Sequence, residues 1–249
     1  IRTPKDAPKE WVNDYFDDST WELITVPGSW TRQNKGDNPH YTNIVMPWEG
    51  LEPPEIPEEN PTGLYRTSFD LPLGWESKRV TIQIEGSESM VLLWCNGSFV
   101  GMGKDSRLPS EFDLSPYLKS SNNILSAMVP RWSDGTWIED QDHWFHGGLH
   151  RSVFIESRDP IHISDLNVVA DYDSQAQTGT LKATSSISGP CEGWFINARL
   201  ETLSGKLIEE INNLPIQKQV DGSPLQNLLG AYQFEGLKSN VNFKNLNIT

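Results

Sequence analysis

The sequence predicts an all-β protein built as two β-sandwiches in series. Three observations predict it. Val80, Ile82 and Ile84 alternate with Thr81, Gln83 and Glu85, the period-two pattern of a half-buried strand. No helical period persists over three turns anywhere in the 249 residues. Beyond residue 160, short alternating runs recur between turn residues at the spacing of a sandwich, roughly 8–12 residues.

In chain order, Met90 to Cys95 is a continuous apolar run and reads as a strand buried on both faces. Asn96-Gly97 then precedes Ser98-Phe99-Val100. A two-residue type I′ turn needs positive φ at both central positions, which Asn-Gly supplies, so a hairpin is expected there. Ile124 to Val129, ended by Pro130, and Val153 to Ile155 complete the first set. The second set comprises Ile161 to Ile163, Leu166 to Ala170, Thr180 to Ile187, Trp194 to Leu200, Lys206 to Ile211 and Ala231 to Phe234. Residues 34–63 differ, with Pro39, Pro47, Pro53, Pro54, Pro57 and Pro61 interrupting them. Each Pro removes a ladder donor, so this stretch reads as a long irregular loop of functional or interfacial type.

A boundary falls near Ser157-Arg158-Asp159-Pro160. Nine of the ten Trp lie at or before Trp144, and the net charge is −10 up to residue 158 and −4 beyond it, within a total of −14. The domains are therefore placed at 1–158 and 159–249, the second in whole or in part. A strongly acidic chain is a poor partner for a phosphate backbone, so nucleic-acid binding is excluded as a first expectation. No run approaches the ~18 apolar residues of a membrane span. Ile1 follows no visible signal segment, and the expected compartment is the cytoplasm, with the periplasm second. Cys95 and Cys191 are expected as buried thiols rather than a disulfide.

The densest chemistry lies in Arg131-Trp132-Ser133-Asp134-Gly135-Thr136-Trp137-Ile138-Glu139-Asp140-Gln141-Asp142-His143-Trp144. Carboxylates that accept hydroxyl protons and flat rings that pack on pyranose C–H faces are what a sugar site needs. Taken alone, the composition favours an acidic loop with Trp anchors in the core over a sugar surface. Asp140 and Asp142 cannot serve as a glycosidase pair, because neighbours on one strand leave no room between them for a scissile bond. His143, His146 and His150 have metal-compatible spacing only on a helix, which Gly147-Gly148 breaks. Asn96 and Asn247 sit in N-x-[ST] sequons, but Asn96 is better explained by its turn. Asn43, in Tyr41-Thr42-Asn43, reads from local sequence as a turn residue or a hydroxyl partner.

Several words in order carry a family resemblance. They are Phe16-Asp17-Asp18-Ser19-Thr20-Trp21, Val26-Pro27 with Trp30, Tyr41-Thr42-Asn43, and Asn60-Pro61-Thr62-Gly63-Leu64-Tyr65. They continue with Trp94-Cys95-Asn96-Gly97, Lys104-Asp105-Ser106-Arg107-Leu108-Pro109-Ser110-Glu111-Phe112-Asp113-Leu114, Arg131-Trp132-Ser133-Asp134-Gly135 and Glu139-Asp140-Gln141-Asp142. Over residues 12–158 the chain resembles the N-terminal region of the family 2 glycoside hydrolases, in particular the large bacterial β-galactosidases. Beyond Asp159 only position and β pattern match.

The resemblance implies a jelly-roll sandwich of the galactose-binding-domain type, then an immunoglobulin-like sandwich. It implies a non-catalytic portion of a retaining enzyme that removes terminal β-D-galactose, with both catalytic glutamates on a downstream barrel. No catalytic residue is then expected here, and the chain alone should be inactive. Asn43 and Asp142 are expected to bind substrate, with Asp142 also a sodium ligand shared with that barrel. No cofactor is expected for this chain alone; sodium and magnesium belong to the full-length enzyme, itself expected to be a homo-oligomer. The alternatives are a free-standing carbohydrate-binding module and a relative acting on β-glucuronides or β-mannosides. Departures from the family occur at the start, which lacks the usual Leu-Asn-Gly-x-Trp-x-Phe strand, along Trp30 to Pro39, at Pro130, and in His143 to His150.

Overall fold

The computed structural model describes residues 1–42, 46, 48–139, 142–175, 178–218 and 237–247. The chain divides into two compact units, Ile1–Ser157 and Arg158–Thr249. The described residues form strands and short 3-10 turns, with no α-helix among them.

The first unit contains β1 (His40–Thr42), β2 (Thr62–Phe69), β3 (Arg79–Ile84), β4 (Met90–Cys95), β5 (Ser98–Lys104), β6 (Ser110–Asp113), β7 (Asn123–Pro130), β8 (His143–Phe145) and β9 (Val153–Arg158). One sheet has the order β2-β7-β4-β5, a second β6-β3-β9, and β1 pairs with β8 alone. The core between the sheets gathers Ile82 and Ile84 from β3, Val91, Leu93 and Cys95 from β4, Phe112 from β6, and Ala127 and Val129 from β7. Alternation therefore places the buried face of β3 as expected.

The run Met90 to Cys95 corrects one expectation. Only Val91, Leu93 and Cys95 are buried; Met90, Leu92 and Trp94 are half-buried. At Trp94 this outer face is covered by an irregular segment rather than by a second sheet. Trp11 meets Trp94 edge-on at 5.5 Å, Phe99 meets it at 5.3 Å, and Trp21 stacks on Trp11 at 6.3 Å. The Asp-Asp-Ser word anchors this cover: Asp17 Oδ1 accepts Ser19 N–H at 3.0 Å, and Asp18 accepts the buried Arg66 Nε–H at 2.8 Å.

The Asn96-Gly97 hairpin forms with φ of 51° and 81°. The Asn96 amide also donates to Tyr117 O at 2.8 Å and to Asn123 Oδ1 at 2.9 Å, and its oxygen accepts Ile124 N–H at 2.9 Å. That amide is committed to the fold. Both cysteines are free and buried, and burial pushes the Cys95 thiol up to about 11.

The Pro-rich stretch is irregular as expected from residue 48 to 61, but His40–Thr42 forms a short strand that the proline count concealed. Between Pro39 and Pro47 there is room for a few consecutive N–H donors, enough to pair with β8.

The second unit holds β10 (His162–Asp173), β11 (Thr178–Ser188), β12 (Phe195–Glu201), β13 (Leu207–Pro215), β14 (Gln217–Lys218) and β15 (Leu237–Asn247). Its sheets are β10-β11-β15-β14 and β12-β13, in keeping with an immunoglobulin-like class. The two predicted runs at Ile161 to Ala170 merge into β10, which passes an irregularity in register between Ile163 and Asp165. The predicted run Ala231 to Phe234 lies outside the described residues.

Candidate functional site

The site is built on the two-stranded ladder of β1 and β8. Its register pairs His40 with Phe145, Tyr41 with Trp144, and Thr42 with His143. Asp142 immediately precedes β8, and its side chain is exposed. Tyr41 Oη–H donates to Asp142 Oδ1 at 2.6 Å, a contact between residues 101 positions apart in the sequence. This bond to a carboxylate, foremost, raises the Tyr41 phenol above its ordinary pKa. The Tyr41 and Trp144 rings lie 5.5 Å apart, and both are about half exposed, at 46% and 54%. A carboxylate and two solvent-facing aromatic rings thus share one edge. Asn43, the chain neighbour of Thr42, lies outside the described residues, as do Asp140 and Gln141.

Arg131 fixes the other end of the ladder. Its guanidinium is buried, and Nη1 donates to both oxygens of Asp37 at 2.7 and 2.8 Å. Nη2 donates to Asn38 O at 3.0 Å and Phe145 O at 3.2 Å, just before β1 and at the end of β8. The Trp30 indole N–H also donates to Asp37, at 3.0 Å. Burial, foremost, lowers the Arg131 pKa, and the Asp37 carboxylate opposes that shift.

Most of the Trp-rich segment is structural, in line with the core-anchor reading that its composition favours. Trp132 is buried, with Trp48 at 4.9 Å and Phe145 at 5.5 Å. Trp137 meets Trp48 edge-on at 5.5 Å and donates its indole N–H to Glu55 O at 2.7 Å. These rings clamp the Pro-rich loop onto the sandwich. The buried Asn60 amide donates to Trp132 O at 2.8 Å and accepts its N–H at 2.9 Å, adding a second clamp. Of that segment's three Trp, only Trp144 offers a broad free ring.

The remaining acids also hold loops. Glu139 accepts Ser106 N–H at 2.9 Å and the Ser106 hydroxyl. Lys104 pairs with Asp134 at 2.7 Å. Glu88, which sequence reasoning missed, is 4% exposed. It accepts His146 N–H at 2.9 Å and Arg107 Nη1–H at 3.3 Å. Arg107 in turn lies 3.4 Å from a ring nitrogen of His143.

The three histidines go separate ways. His143 faces Arg107, His146 Nδ1 lies 3.0 Å from Thr31 Oγ1, and His150 packs over Gly86. Burial lowers the pKa of His146 and of His150. Among the described residues no group of three or more His, Cys, Asp or Glu side chains could hold a metal. Asp142 fits a hard cation only as one ligand of a shared site: it is an exposed carboxylate with one oxygen held by a hydroxyl.

Gly147 and Gly148 have a packing reason. Trp30 N–H donates to Gly147 O at 3.0 Å, and the indole ring packs close against Gly147. A Cβ on Gly147 would stand 2.2 Å from Trp30 Cζ2. Gly147→Ala is therefore expected to lower stability by about 3 kcal/mol and Tm by about 10 °C, read by thermal unfolding of the chain. An unchanged Tm would mean that Trp30 yields freely.

A β-sandwich that presents a carboxylate beside exposed aromatic rings on a short two-stranded ladder has the layout of a carbohydrate-binding domain. Residues 1–158 match the family described as "Glycosyl hydrolases family 2, sugar binding domain". The chain belongs to glycoside hydrolase family 2. It is 43% identical over 185 residues to a β-galactosidase of Psychromonas ingrahamii, covering 74% of this chain and 18% of that protein. It is 35% identical over 218 residues to a β-galactosidase of Vibrio vulnificus, covering 88% of this chain and 21% of that protein. The chain thus spans about a fifth of the length of these relatives. Among solved structures, a family 2 β-glucuronidase superposes with TM-score 0.69 over 100% of this chain and 26% of that one, at 21% identity. A Bifidobacterium dentium β-glucuronidase superposes with TM-score 0.66 over 98% of this chain and 40% of that one, at 14% identity. At such identities these structures establish the fold alone. No helix among the described residues is long and apolar enough to cross a membrane.

Proposed function

We propose that this chain is the N-terminal, non-catalytic portion of a retaining β-galactosidase and supplies part of its galactose pocket. The observation that carries the reading is the exposed Asp142 carboxylate, held by Tyr41 at 2.6 Å beside the Trp144 ring. The β-galactosidase relatives support galactose as the sugar. In this reading Asp142 accepts hydrogen bonds from sugar hydroxyls, and Asn43 both donates and accepts, so a hydroxyl of wrong configuration leaves a polar group unpaired. Asp142 would also be one ligand of a sodium ion, whose charge would anchor hydroxyl oxygens. The remaining sodium ligands, a magnesium site and the catalytic glutamates belong to a downstream barrel. The parent enzyme assembles as a homo-oligomer in the bacterial cytoplasm or periplasm.

The chain alone is expected to be inactive, since neither an acid/base nor a nucleophile is assigned to it. Purified chain, free of host enzyme, should not hydrolyse an aryl β-galactoside, whereas the full-length protein should do so and leave the aryl β-glucuronide untouched. Turnover by the isolated chain would overturn the division of labour. Preference of the full-length protein for the glucuronide would overturn the sugar assignment.

A further inference from the structure

The geometry points to Tyr41 as a positioning residue that holds the Asp142 carboxylate in its ligand-ready orientation, an inference that rests on the galactose-binding reading above. Asp142 lies in an exposed loop position just before β8. A surface carboxylate in such a place is free to sample several rotamers, and each productive contact with a ligand must then bear the cost of ordering it. Tyr41 removes that freedom. Its backbone is locked opposite Trp144 in the ladder, and its ring rests on the Trp144 ring at 5.5 Å. From this fixed base the hydroxyl reaches Asp142 Oδ1 at 2.6 Å.

An ionised carboxylate has room for about four hydrogen bonds over its two oxygens, so this bond leaves acceptor capacity for a hydroxyl-bearing ligand. A hydroxyl donor suits the role better than Lys or Arg. It orients the acid without neutralising the charge that a polyol or a hard cation would meet.

The bland explanation is that the Tyr41 hydroxyl merely fastens β1 to β8. The ladder does not need it. Three register pairs join the strands, and Arg131 ties Asn38 O to Phe145 O at the far end. The hydroxyl sits instead where the strands end and the acid begins.

The test uses the full-length enzyme with Tyr41→Phe, Asp142→Ala and the double variant. Tyr41→Phe keeps the ring, so Tm should stay within about 2 °C of wild type. Its kcat/KM for an aryl β-galactoside should fall about tenfold, consistent with loss of one charge-assisted hydrogen bond. The double variant should be no worse than Asp142→Ala alone, because the hydroxyl acts only through the acid. Binding of galactose and its monodeoxy analogues as competitive inhibitors gives a second readout. Wild type should discriminate most strongly against one deoxy position. Tyr41→Phe should narrow that same ratio and leave the others unchanged.

Wild-type kinetics in Tyr41→Phe, with Asp142→Ala damaged, would remove this inference and leave the galactose reading standing. A Tyr41→Phe penalty persisting in full beside Asp142→Ala would mark the hydroxyl as strand glue and also overturn it. An unaffected Asp142→Ala would sink the galactose reading and this inference with it.

Discussion

In the full-length enzyme, Asp142→Asn should lower kcat/KM for an aryl β-galactoside by about 100-fold. Asn keeps the shape and one acceptor oxygen but loses the charge, and it turns an acceptor into an N–H donor. Sugar hydroxyls that donated to the acid then face a like partner. Truncating or mismatching one partner of a charge-assisted hydrogen bond in an enclosed site costs roughly 2–4 kcal/mol. The local fold should not change, since Tyr41 Oη–H can still donate to the amide oxygen in place of Oδ1. Tm should therefore stay near wild type, which separates this variant from those that disturb the ladder. The sodium concentration for half-activation should rise, and the affinity for galactose as a competitive inhibitor should fall in parallel. Wild-type kinetics together with an unchanged sodium response would remove Asp142 from the pocket.

The sequence made the β architecture legible where alternation was unambiguous. β3 buries alternate apolar side chains on one face, and Asn96-Gly97 takes the positive φ pair that its composition demanded. It misled where apolar residues served a cover rather than a sheet. Trp94 looks like core, yet it lies against Trp11 and Phe99, and no local pattern announces Trp11, some eighty residues earlier in the chain, as its partner. β1 was hidden for a related reason, since three pairing residues among prolines carry no period of their own.

At the site, Asp142 and the aromatic segment could be picked out, but their division of labour could not. Trp132, Trp137 and Trp144 are alike in sequence, and only packing shows that the first two clamp a loop while the third stays open. Glu88 and Asp37 escaped notice because an acid that is held by a guanidinium is recognised by its partner. The usable signal was Arg131 itself: a guanidinium at the end of a buried strand must find a carboxylate.

That requirement makes Arg131→Ala the substitution with the largest expected effect on stability. The guanidinium is bound by both Asp37 oxygens and two backbone carbonyls, and it lies 4.8 Å from the Trp132 ring centre. Removing it strands the partly buried Asp37 charge and leaves Phe145 O without this donor, at a cost of about 3–5 kcal/mol. For a unit of this size the loss corresponds to a fall of roughly 10–15 °C in Tm. Trp30 should loosen as well, because its indole N–H shares the same Asp37 carboxylate. Arg131→Lys should recover only part of the stability. An ammonium carries the charge but cannot fork to Asp37 while also reaching the carbonyls on either side. A double-mutant cycle with Asp37→Ala locates the effect. If the pair behaves as a unit, Asp37→Ala should add little once Arg131 is gone, and in the full-length enzyme Arg131→Ala should depress both Tm and kcat/KM, whereas Asp142→Asn touches only the second. An Arg131→Ala chain as stable as wild type would mean that the β1–β8 ladder stands without its buried tie. The placement of Asp142 would then have to come from Tyr41 and the three register pairs alone.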